Sequence, residues 1–124
     1  MNEINGYKLH KWWFDFVKSN PGIVKPSHGA LFSWIVEKNN ILNWKEKFGL
    51  PTMEAMRMIG VKDRRVLIKA LLDFQEWRFI KIIKKSTNQY QANIIAFDDF
   101  GLHAYQCGLD EKRIRGKNAY RKNA

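Results

Sequence analysis

Apolar residues recur along the chain at spacings that switch between helical and extended, and the switches fall at Pro, Gly, Asn and Asp. Leu9, Trp13, Phe16 and Val17 stand at i, i+4, i+7 and i+8, one face of a helix over residues 9–19. Asn20-Pro21-Gly22 ends it. Ser27 then offers an N-cap for a second helix to about residue 40, with Leu31, Trp34 and Ile35 as its inward stripe and Ala30 beside them. Phe48-Gly49-Leu50-Pro51 reads as a short extended piece, because Pro51 drives Leu50 out of helical angles. Thr52 is placed to cap a short helix over residues 53–59, closed by Gly60. Asp63 caps the next helix, residues 64–76, with Leu67, Leu71 and Phe74 on one side and Ile68 and Leu72 flanking them.

Residues 79–83 and 92–97 are β-branched and aromatic enough for strands, and the polar, basic run from Lys84 to Tyr90 between them supplies a turn. Helix, Gly-containing turn, helix and then a hairpin is the order of a winged helix-turn-helix, a mainly α fold with a small β-hairpin. The periodicity decays from Asp98. The expected organisation is a winged-helix domain over residues 1–97 and a largely disordered basic C-terminal tail over residues 98–124, with no internal repeat.

Charge sharpens this picture. The 124 residues hold 22 Lys+Arg against 12 Asp+Glu, a net charge of +10, while 45% are hydrophobic and 14% aromatic. Such apolar content excludes a disordered chain, and the length fits one small domain. A charge of +10 repels itself, and a polyanionic partner is the usual reason to keep it. Residues 110–124 carry six basic and two acidic residues, so the remainder stays basic at +6. Cys107, the one cysteine, excludes a disulfide framework and suits a reducing cytoplasm. The polar start and the lack of an 18-residue apolar run point to a soluble intracellular protein without a membrane partner.

Leu9-His10-Lys11-Trp12-Trp13-Phe14-Asp15-Phe16, Asn43-Trp44-Lys45-Glu46-Lys47-Phe48-Gly49-Leu50-Pro51-Thr52, and the run from Phe79-Ile80-Lys81 to Asn88-Gln89-Tyr90 resemble small winged-helix proteins of phages and bacteria. The resemblance spans roughly residues 7–97 and is to the N-terminal domains of replisome-organiser or primosomal replication-initiation proteins, the DnaD-like group. It implies that the second helix of the helix-turn-helix meets duplex DNA. In that family, further replication contacts are often carried by a C-terminal portion.

The candidate reading surface is Lys62, Arg64, Arg65 and, one turn on, Lys69, because a recognition helix enters the major groove by its N-terminal end. The plainer reading is a solvated basic face. Lys84 and Lys85, with Lys81 before them and Asn88 in the turn, form a wing that would hold phosphate; lysines on a hairpin also block strand addition. Trp13, Trp34 and Trp77 fit core positions. Trp12 and Phe14 fall outside the Leu9 stripe and are expected at a homodimer or partner interface.

Nothing in the sequence builds a catalytic centre. His103 and Cys107 supply two ligands where a structural zinc needs four, Asp98-Asp99 reads as a turn before a metal pair, and no phosphate-cradling Gly-rich loop occurs. The expected function is double-stranded DNA binding without enzymatic activity or cofactor, in phage or bacterial replication initiation. A transcriptional regulator with the same geometry, or a protein-interaction module that does not bind DNA, is the alternative.

Overall fold

The computed structural model describes residues 6–88 and 90–107, and it is mainly helical with a small three-stranded antiparallel sheet. The order among the described residues is α1 (Gly6–Ser19), α2 (Pro26–Ile41), β1 (Phe48–Pro51), α3 (Thr52–Ile59), α4 (Arg64–Glu76), β2 (Ile80–Lys84), β3 (Ala92–Phe97) and α5 (Asp99–Gln106).

In α1 the buried residues are Leu9, Trp12, Trp13 and Phe16, at i, i+3, i+4 and i+7. The inward face is therefore turned toward Trp12, and Val17 sits at its half-buried margin. This corrects the expectation for Trp12, which is 2% exposed with its ring centroid 4.6 Å from that of Phe79. Phe14 stays outside, 54% exposed. The side chain of Asn20 closes the helix by donating to the Phe16 carbonyl at 2.9 Å.

The cap of helix α2 is Lys25, two residues before the expected Ser27. Pro26, with its fixed φ, takes the first helical position, and the Lys25 N–H donates to His28 Nδ1 at 2.9 Å. Ser27 thus lies inside the first turn. The buried face is wider than the sequence stripe because Phe32 and Val36 join Leu31 and Ile35, whereas Trp34 is half-buried and Ala30 exposed. Trp13 of α1 stacks on Phe32 of α2 at 5.0 Å and meets Phe74 of α4 edge-on at 5.5 Å. Phe79, at the entry to β2, closes the same cluster 5.3 Å from Trp13.

The sheet order is β1-β3-β2. Phe48 pairs with Ile95 and Pro51 with Ala92, so the extended piece predicted around Pro51 is an edge strand laid on the hairpin. β2 pairs with β3 from Ile80 opposite Phe97 to Lys84 opposite Ile94, with a bulge at Ile83. Gln75 of α4 accepts from the Ile82 N–H at 2.8 Å, which occupies a donor of the outer edge of β2.

The domain boundary expected after Phe97 does not hold. Asp98 caps α5 by accepting from the Gly101 N–H at 3.0 Å, and Leu102 and Ala104 are buried. The Tyr105 hydroxyl donates to the Asp15 carboxylate of α1. This helix covers the side of Trp12 that the sequence left open, which is why that residue is core. Asp98 is a buried helix cap that also accepts from Arg78 Nε at 3.2 Å. The rest of the expected tail lies outside the described residues. Among the described residues no helix is long and apolar enough to cross a membrane.

Candidate nucleic-acid interface

Helix α3 ends at Gly60, whose φ of 78° is open to glycine and strained for other residues, and the Val61 N–H turns back to the Met56 carbonyl at 3.1 Å. Residues 60–63 form the connection. Asp63 then caps α4 as the sequence predicts, its Oδ1 accepting from the Arg65 N–H at 2.9 Å.

The two adjacent arginines part company here. Arg64 is half-buried, and its Nη2 donates to the Ser86 carbonyl at 3.3 Å, so it reaches the hairpin. The Arg65 side chain is 89% exposed, with Nε 3.1 Å from Asp63 Oδ1 and Nη2 3.0 Å from Oδ2. That contact, with the Arg65 backbone N–H beside it, holds the Asp63 carboxyl below the usual aspartate range, and the same carboxylate raises the Arg65 guanidinium.

Lys69 lies one turn along α4 and donates to Asp73 Oδ1 at 2.8 Å. The other oxygen of Asp73 stands 2.8 Å from Nε2 of buried His28. Because His28 Nδ1 accepts from Lys25, Nε2 carries the proton and donates to Asp73. Lys62, Lys84 and Lys85 are exposed, and none has an ion-pair partner among the described residues. Asn88 is exposed, and its Oδ1 accepts from the Tyr90 N–H at 2.7 Å, which fixes the turn.

What joins hairpin and helix is a set of small polar residues, inconspicuous in the sequence. Thr52 does not cap α3; Pro51 holds that position, and Thr52 Oγ1 donates to the Gln91 carbonyl at 2.8 Å. Asn93, fully buried in β3, accepts from the Ser86 N–H at 3.0 Å and donates to Thr52 Oγ1 at 3.3 Å. Through Ser86, this knot meets Arg64. The available signal was Asn93 itself. Alternation along residues 92–97 turns Asn93 inward with Ile95 and Phe97, and a buried amide requires partners.

No protein-family model, curated protein or solved structure gives a significant match to this chain. The surface speaks through its own chemistry: cations from α4 and from the hairpin, linked by Arg64, with a helix N-terminus whose backbone dipole favours anions. His103 and Cys107 approach each other at 3.6 Å on α5. No group of three or more His, Cys, Asp or Glu able to hold a metal ion occurs among the described residues.

Proposed function

We propose that the chain binds double-stranded DNA as a winged helix, with α4 offered to the major groove and the hairpin loop to the backbone. The order α2, β1, α3, α4, β2, β3, with β1 paired to β3 outside the hairpin, supports the winged reading. The observation that carries it is the Arg64–Ser86 contact, which draws Lys84 and Lys85 toward the end of α4 that bears Lys62 and Arg65. Lysines there suit phosphates, which position a protein without reading sequence. The process we assign is phage or bacterial replication initiation in the cytoplasm, on the resemblance of residues 7–97 to the DnaD-like group. A replication protein or a second copy is the expected protein partner.

The test is a salt titration of binding to a random-sequence duplex. Contacts to about six phosphates give a log–log slope near −5, and Lys84→Glu with Lys85→Glu lowers affinity for all sequences alike and flattens the slope. A chain that binds no duplex at low salt is instead a protein-interaction module.

A further inference from the structure

We infer that Arg65 is the residue that reads a base, a guanine, and that Asp63 is a positioning residue that presents the guanidinium to it. The inference rests on the DNA-binding reading above and adds to it the division of labour between two adjacent arginines and the class of base recognised.

Arg64 is removed from base reading by its own geometry, since its Nη2 is engaged with the Ser86 carbonyl. Arg65 is different. Its guanidinium has donors at Nε, Nη1 and Nη2, and Asp63 takes the edge formed by Nε and one Nη2 hydrogen. The end of the fork, formed by Nη1 and the second Nη2 hydrogen, has no partner among the described residues. Two parallel N–H groups at that spacing match the N7 and O6 acceptors that guanine shows in the major groove. The carboxylate is itself fixed, because Oδ1 also accepts from the Arg65 backbone N–H at 2.9 Å. The side chain is thus held at the entrance of α4 before any ligand arrives, and less of its rotamer freedom is lost on binding.

Charge supports the same reading. A carboxylate beside a polyanion weakens any contact whose purpose is phosphate binding, and Lys62, Lys84 and Lys85 serve that purpose without one. Asp63 placed against Arg65 lowers indiscriminate affinity while orienting the donors that discriminate.

The experiment uses the full chain. Wild type enriches duplexes from a random-sequence pool; binding is then measured to the enriched duplex and to versions with each guanine in turn replaced by adenine. Wild type is expected to lose about 5- to 150-fold at one guanine. Arg65→Ala abolishes that penalty and keeps salt-dependent binding to random duplex, whereas Arg64→Ala keeps the penalty. Asp63→Asn retains a good N-cap and thus the thermal stability of the chain. It binds random duplex as tightly as wild type or more so, yet its guanine penalty shrinks several-fold. An undiminished penalty in Asp63→Asn, or a penalty that disappears with Arg64→Ala instead of Arg65→Ala, overturns the inference and leaves DNA binding standing. So does an enriched duplex with no sensitive guanine. Absence of duplex binding by wild type at low salt removes both.

Discussion

Arg64 Nη2 donates to the Ser86 carbonyl at 3.3 Å, so the first turn of α4 and the start of the hairpin loop form one unit. An arginine that ties two elements is a different instrument from one that reads a groove, and the two roles separate by experiment. Arg64→Ala is expected to destabilise the chain by about 1.5 kcal/mol, the lower end for a hydrogen bond from a charged group, because the bond is long. Urea denaturation measures this. Duplex affinity should fall by a similar factor on every sequence, and a change in sequence preference would return Arg64 to the reading surface.

Gly101 marks where α5 meets the turn after α4. A Cβ at this position would stand 2.1 Å from the Arg78 carbonyl oxygen, a backbone atom that cannot swing aside. Gly101→Ala is therefore expected to cost at least the 1–3 kcal/mol typical of overpacking, roughly, and to lower the melting temperature. A variant as stable as wild type would show that α5 can slide on the body without loss.

The aromatic pair on α1 now predicts opposite outcomes. Trp12 is core, packed on Phe79 and Tyr105, and Trp12→Ala should cost about 3–5 kcal/mol. Phe14 is exposed, and Phe14→Ala should change stability by no more than about 0.5 kcal/mol. Solution mass measured on the same samples tests the interface reading, which now rests on Phe14 alone. A dimer that dissociates on Phe14→Ala supports it, and a monomer throughout removes it.

The elements that carry strong local chemistry were legible in the sequence. Asp63 before the Leu67–Leu71–Phe74 stripe placed α4 to the residue, and Gly60 placed the end of α3. Errors arose where a nonlocal partner decides. Ser27 lost the cap of α2 to the residue before Pro26, because proline at the first helical position sets the boundary itself. Thr52 and Ser86 look like ordinary turn residues until Asn93 brings them together across the sheet. Trp12 reads as outward in the sequence because α5 shows little periodicity of its own and is held by Asp98, Gly101 and Tyr105. Helical phase sets Arg65 with Lys69, away from the Leu67–Leu71–Phe74 stripe, but the partners that give the two arginines different roles, Ser86 for Arg64 and Asp63 for Arg65, appear only in the fold.

The contact between Tyr105 and Asp15 gives stability a pH dependence of definite sign. The tyrosine hydroxyl donates to the carboxylate and is the largest influence holding the Asp15 carboxyl below its ordinary range; partial burial opposes it, and Lys11 and Lys18 assist. A carboxyl that is lower in the folded than in the unfolded chain stabilises the fold above the unfolded value of about 3.9. That contribution is lost as pH falls through the lower folded value. Tyr105→Phe removes the main cause while keeping the ring that stacks near Trp12, so the variant should be about 1 kcal/mol less stable at pH 7. The difference should narrow below pH 4, and its pH-dependent part should vanish once Asp15 is protonated in both states. Asp15→Asn should abolish the pH-dependent part of the difference between tyrosine and phenylalanine. Denaturant midpoints from pH 7 to pH 3 for the four chains of this cycle decide it. A gap between wild type and Tyr105→Phe that is constant with pH would mean that the Tyr105 hydroxyl contributes independently of the Asp15 charge, and no gap at any pH would mean that Tyr105 acts through its ring alone.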